Sequence, residues 1–254
     1  MQTPAKKYPL PECERNALVW NLLSSECVLL VLGVLGSMIA SAITSGDLLA
    51  GITLGWAQDI ANSIKGFSAQ GTALGAAVVV VAMLVFMYAN EFVASRTKYG
   101  RVSIQMARND MSGELPRMGL VRLVPLMAAA GMAEELLFRF VLLGGVARVV
   151  ALFAPQWIAV LFALVVSTFL FWLAHVQYRD FYSSALTLGL SLGLGLAFIA
   201  TGSVALVAIA HAVYDWAECA IEGMRMVRNP NYFDGEPPQS VMLDYMDEIE
   251  DDIR

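Results

Sequence analysis

The sequence predicts an all-α protein, a polytopic transmembrane helix bundle of about six spans with a polar cavity inside the membrane that opens to the cytoplasm. Three observations predict it. Of 254 residues, 58% are hydrophobic and 15% charged, against about 45–50% and about 25% for a soluble domain. The apolar residues gather into long runs of the kind that cross a bilayer, which takes about 20 residues per helix. The basic residues concentrate in alternate connections between those runs.

Residues 1–16 are polar and proline-containing, with Lys6, Lys7 and Arg15 ahead of the first apolar run, residues 17–43. Its end, Ala40-Ser41-Ala42, resembles a signal-peptidase site, so a cleaved leader competes with a retained span. The run is longer than a leader's apolar core of about 7–15 residues, which favours the span. Residues 44–71 form a Gly/Ser-containing connector whose 48–60 part is expected at the interface, and residues 72–94 form a Val-rich second span. The basic loop, residues 95–122, carries Arg96, Lys98, Arg101, Arg108, Arg117 and Arg122, with turn-forming residues over 109–116. A third span runs from about Leu123 towards Val150. Pro155 marks a turn, and residues 157–176 are a fourth span. After the polar break Tyr178-Arg179-Asp180, residues 182–200 and 204–222 form a helical hairpin around Thr201-Gly202-Ser203, with Ser203 as N-cap.

Six spans return the chain to its starting side. On that arrangement thirteen of the sixteen Lys and Arg residues lie on the side of the two termini, so both ends are expected in the cytoplasm. The net charge of −6 comes largely from the last twenty or so residues. That acidic tail, with Pro237-Pro238 before it, reads as a solvated end. No basic patch indicates nucleic acid. Cys13, Cys27 and Cys219 are far apart and lack metal-ligand spacing, so they read as free thiols.

The polar residues within the spans carry the functional signal. Ala130-Gly-Met-Ala-Glu134-Glu135-Leu-Leu-Phe-Arg139-Phe places two carboxylates and a guanidinium in an apolar run. Each costs at least about 2.5–3.5 kcal/mol at mid-bilayer, so such residues face a bundle interior and mark functional sites. Glu135 and Arg139 are four apart and share a helix face, while Glu134 points about 100° away. Arg139 can therefore hold Glu135 and leave Glu134 for chemistry. An intrahelical salt bridge alone would account for Glu135 and Arg139 but not for Glu134.

Both histidines of the chain sit on apolar helices. His175 follows Phe171 by four residues, so imidazole and ring stack on one face. His211 precedes Asp215 by four, so the carboxylate can orient the imidazole. Either histidine alone fits a hydrogen bond between packed helices. At 1.5 Å per residue, Glu134 lies about 18 Å from Arg122 and His211 about 16 Å from Glu222, but His175 only about 5 Å from Tyr178. The first two match in depth, and His175 is expected to be shallower.

Apolar walls disfavour a charged carboxylate and a nearby cation favours it, which together tune a general base for water. An imidazole can share that water or protonate a leaving amine, and a second polar pair can stabilise an oxyanion. This is the chemistry of acyl-bond hydrolysis. No serine or cysteine stands in a nucleophile context: GxSxG is absent, and Cys219 has no base beside it.

Glu-Glu-x-x-x-Arg at 134–139, Phe-x-x-x-His at 171–175 and His-x-x-x-Asp at 211–215, in that order on successive spans, resemble the CPBP family. These are the CAAX prenyl proteases and bacteriocin-processing enzymes also called the Abi family. The resemblance covers residues 116–222 and includes the Phe-Arg-Phe after the glutamates and the Thr-Gly-Ser hairpin. It implies a glutamate-type intramembrane endopeptidase acting on a membrane-associated protein or peptide, with no cofactor; the short length and the lack of an ER-retention tail fit a bacterial plasma membrane better than a eukaryotic prenyl-processing role. By that resemblance Glu134 activates water, His175 helps hold it, Glu135 and Arg139 support the site, and His211 with residue 215 forms the oxyanion side. Asparagine is usual at the last position and Asp215 stands here. An ionised Asp215 cannot donate to an oxyanion, so it is either protonated or serves to orient His211. The implied organisation is an N-terminal segment (1–16), two spans and the basic loop (17–115), a catalytic core (116–222) and a cytoplasmic tail (223–254).

Three other readings compete. Zinc held by His175, His211 and a glutamate would be a known catalytic ligand set, although HExxH is absent. A non-catalytic scaffold or bacteriocin-immunity protein would use the polar residues for packing alone. A proton-coupled transporter would use them as a relay, but no inverted repeat is visible.

Overall fold

Residues 11–53, 67–108, 111–175 and 180–228 are described by the structure, a computed structural model. The expectations for the N-terminal lysines, most of the interfacial stretch, Tyr178-Arg179 and the acidic tail lie outside the described residues. The elements are α1 (Glu12–Ser45), α2 (Ala50–Thr53), α3 (Phe67–Ser95), α4 (Lys98–Arg108), a 3₁₀ turn (Met111–Met118), α5 (Leu120–Glu135), a π-helical segment (Leu136–Gly145), α6 (Val146–Val150), α7 (Gln156–His175), α8 (Phe181–Thr201) and α9 (Val204–Arg228). No strand occurs among the described residues.

Five helices, α1, α3, α7, α8 and α9, are long and apolar enough to cross a membrane. Their outward faces carry large apolar side chains in the open, such as Val78, Val81 and Val85 on α3 and Leu161, Phe162 and Val165 on α7. A helix apolar on every side suits a lipid surround. The third expected span begins at Leu120, slightly before Leu123, and is a continuous rod through α5, the π segment and α6 rather than a single α-helix. The basic loop is more ordered than its turn formers indicate. Residues 98–108 of it form α4, with a polar and an apolar side, followed by the 3₁₀ turn in which Arg117 bonds a fully buried Glu114 at 2.5 Å.

Helix ends follow their local chemistry. Asp180 caps α8, its Oδ1 accepting from the Tyr182 and Ser183 amides at 3.0 Å. Gly202 closes that helix at φ 66°, a left-handed conformation that suits glycine. Ser203 then caps α9 by accepting from the Leu206 amide at 3.2 Å, as its position in the hairpin indicates. Helix α1 runs unbroken through Ala40-Ser41-Ala42 and ends at Gly46, φ 73°.

Two contacts align the polar segments. Gly131 on α5 meets α9 so closely that an added Cβ would lie 2.6 Å from the Ala208 carbonyl oxygen and 2.9 Å from the Ala212 Cβ. Small residues permit such backbone approach between membrane helices, and here it falls one turn before Glu134 and Glu135. On the opposite side α1 packs parallel to the same rod, Gly33 against Leu136, Gly36 against Val141 and Ala40 against Gly145. A core of Ala76, Val80, Met83 and Met87 from α3, Leu194 from α8 and Leu206, Val207, Ala210 and Tyr214 from α9 closes the third side. At one end Arg225 grips Glu91 through two bonds of 2.9 and 3.0 Å.

Candidate active site

All six side chains singled out in the sequence meet in one place. Glu134 is 6% exposed, Glu135 and Arg139 are fully buried, and His211 is 6% exposed. The Arg139 Nη1 lies 3.1 Å from Glu135 Oε1, the expected pairing across one helical turn. The contact is an ion pair rather than an aligned hydrogen bond, since Nη1 has no hydrogen-bonding partner among the described residues. Arg139 Nη2 instead donates to both the carbonyl and the hydroxyl of Ser191 at 3.2 Å, and its guanidinium sits 4.5 Å above the Phe171 ring.

Each histidine is fixed through Nδ1. His175 stacks on Phe171 with centroids 4.1 Å apart and planes 13° apart, and its Nδ1 lies 2.9 Å from the Phe171 carbonyl oxygen. That oxygen only accepts, so Nδ1 carries a hydrogen. His211 Nδ1 lies 2.8 Å from Glu135 Oε1, and Glu135, paired with Arg139, accepts from it. Both Nε2 atoms are thereby turned inward. His175 Nε2 is 3.1 Å from Glu134 Oε2, and His211 Nε2 is 3.8 Å from the same oxygen and 3.4 Å from Asp215 Oδ2. Glu134 Oε2 is buried with no hydrogen-bonding partner among the described residues.

Asp215 faces the His211 ring at Nε2, beside Glu134, while Glu135 takes Nδ1. One expectation is corrected: His175 is not too shallow to reach Glu134. Helical side chains lean towards their own N-terminus, and α5 and α7 run in opposite directions, so Glu134 and His175 lean towards each other. Counting Cα depth alone missed that reach.

The π segment begins immediately after Glu135. In it each amide bonds one residue further back than in an α-helix, a geometry frequent at functional sites. Ser167 on α7 donates to the Phe138 carbonyl at 2.6 Å and anchors the segment laterally. Sequence reading missed Ser167, Ser191 and Gly131, whose roles depend on neighbours distant in sequence. It also passed over Glu26 and Glu91, charges inside apolar runs that the rule used for Glu134 would have flagged. A separate cavity of about 170 Å³ lies between the ends of α3, α8 and α9, lined by Asn90, Glu91, Tyr182, Glu218 and Glu222. Cys13, Cys27 and Cys219 are free thiols.

The family model of the type II CAAX prenyl endopeptidases, Rce1-like, matches residues 116–217. The matched segment is similar to that family. It contains α5, the π segment and every one of the six converging residues. No curated protein and no solved structure matches the chain. The match is a likeness of residues 116–217 to a family of CAAX prenyl endopeptidases, and the apolar helices agree with an integral membrane protein. Among the described residues no group of three His, Cys, Asp or Glu has the geometry to hold a metal ion.

Proposed function

We propose that this protein is an intramembrane endopeptidase that hydrolyses a peptide bond in a membrane-associated substrate of the prenylated CAAX type, using water activated by Glu134. The observation that carries this reading is the buried Glu134 Oε2 with the Nε2 atoms of His175 and His211 3.1 and 3.8 Å away. Water between them gives its proton to Glu134 while His175 Nε2, when protonated, donates to its oxygen. The hydroxyl oxygen bonds to the substrate carbonyl carbon, whose π electrons move onto oxygen. His211 Nε2, when protonated, donates to that oxyanion, and Asp215 beside it keeps the proton there. The amine leaves with the proton that Glu134 took up. Glu135 and Arg139 hold the His211 ring and carry no proton through the cycle. The rod from Leu120 to Val150 supplies the sixth crossing, both termini face the cytoplasm by the distribution of bases, and the site opens to that side of a bacterial plasma membrane.

The test is cleavage of fluorogenic prenylated peptides by the purified protein in liposomes. Glu134→Gln and His211→Ala are each expected to lower kcat by about 10²–10⁴, and a chelator to leave the wild type unchanged. Glu134→Gln at wild-type rate would refute the reading. Loss of activity to chelator would favour zinc on His175, His211 and Glu134, and a Glu134→Gln protein that complements a deletion would favour the scaffold.

A further inference from the structure

Once these six residues have roles, one buried ionisable side chain in the same region is left over. Glu26 lies mid-way along α1, 8% exposed, and its Oε2 is buried with no hydrogen-bonding partner among the described residues. Its own helix offers it nothing, because the Ser24 and Ser25 hydroxyls donate to the carbonyls of Trp20 and Leu22. The register of α1 on α5 brings it to the site. Glu12 faces Arg122 at 3.9 Å, Leu22 and Leu23 pack on Leu123, Leu126 and Met127, and Gly33 abuts Leu136. Between those contacts Glu26 falls about one helical turn before Glu134, on the side towards which the Glu134 side chain leans. After burial, which acts on its charge most strongly, the charges that act on it are those of Glu134, His175, His211 and Asp215. They come from three other helices, and all four belong to the site.

A carboxyl at this position works against packing, since apolar atoms of the same shape would suit the surroundings better. Resting on the hydrolytic reading above, we propose that Glu26 is a positioning residue of the site, a carboxylate delivered by the first span that acts through the imidazoles of His175 and His211. Both imidazoles have Nδ1 committed, so the carboxylates they face govern the proton on each Nε2. When Glu134 takes the proton from water it becomes neutral and no longer balances a protonated imidazole. Glu26 keeps a counter-charge in place at that moment, so the Nε2–H group stays available to the developing oxyanion. Its effect belongs to the transition state and leaves substrate binding alone.

The experiment uses the full-length protein in liposomes with Glu26→Gln, Glu26→Leu and Glu26→Asp beside wild type and Glu134→Gln. Glu26→Gln and Glu26→Leu are expected to lower kcat about tenfold with KM unchanged, while Glu26→Asp retains most of the rate. Thermal midpoints of the Gln and Leu variants are expected at or above that of wild type, which a packing role would not produce. A second arm needs no cleavage: Glu26→Gln is expected to raise the midpoint more in wild type than in the Glu134→Gln background, where the facing charge is gone. Wild-type kcat in Glu26→Gln, a midpoint that falls together with activity, or additive midpoints overturns the proposal. Wild-type protein that cleaves nothing overturns the hydrolytic reading first and this role with it, whereas a cleaving wild type with unchanged Glu26→Gln overturns this inference alone.

Discussion

Replacing Arg139 by methionine tests how the site is supported. The guanidinium is fully buried and makes the 3.1 Å ion pair with Glu135, two 3.2 Å donations to Ser191 and the stack over Phe171. Methionine keeps much of the volume and removes the charge, which leaves the fully buried Glu135 with only the His211 Nδ1–H. Breaking a buried pair on one side costs about 3–5 kcal/mol. The loss of charged hydrogen bonds to Ser191, about 1.5–3 kcal/mol, overlaps with that figure and does not add in full. At about 2–4 °C per kcal/mol for a chain of this size, the thermal midpoint should fall by about 6–20 °C. The assay is thermal unfolding in detergent followed by helical circular dichroism, with a matched double variant, Arg139→Met with Glu135→Gln. The glutamine oxygen can still accept from His211 while the orphaned charge is gone, so the double variant should recover more than half of the loss. A single variant within about 1 kcal/mol of wild type, or a double variant no better than the single, would refute the view that Arg139 exists to neutralise Glu135.

Three further outcomes are expected. Gly131→Val should lower the midpoint by the equivalent of about 1–3 kcal/mol through overpacking and depress kcat, because its Cβ meets the Ala208 carbonyl and forces α5 off α9; unchanged activity with lowered stability would uncouple that contact from the site. Ser167→Ala should cost about 1–3 kcal/mol by leaving the buried Phe138 carbonyl without its donor, read as a lowered midpoint. Asp215→Asn should keep kcat within about tenfold of wild type because an amide can donate to an oxyanion, whereas Asp215→Ala should lose about 10²–10³; equal rates for the two would remove Asp215 from the reaction.

The sequence was informative where the physics is local. Charges in an apolar run identify themselves, and i,i+4 spacing paired Glu135 with Arg139 and Phe171 with His175 as the structure has them. Cap chemistry at Ser203 was equally local. What was not legible depends on contacts between helices. That Glu135 and not Asp215 would take the His211 Nδ1 follows from how α5 meets α9 at Gly131, which helical spacing does not encode. The π segment was hidden for a different reason. Changing from α to π moves hydrogen bonds by one residue without altering which residues are apolar, so hydropathy reads straight through it. Glu26 was legible in principle, since one carboxyl in the first apolar run meets the same criterion as Glu134.

The pairing of Glu135 with Arg139 inside one helix also bears on the order in which the chain enters the bilayer. The two groups are four residues apart, so they are made almost together and can neutralise each other before any later helix exists. Ser191, which accepts from Arg139 Nη2, is synthesised 52 residues later. The helix bearing the costliest charges thus carries its own counter-ion into the membrane, and the arrival of α8 completes a shell around a pair already formed. Glu26 enters without such a companion and waits through the synthesis of more than a hundred residues for the groups it faces, which makes the first span the segment whose insertion should depend most on its flanking apolar residues.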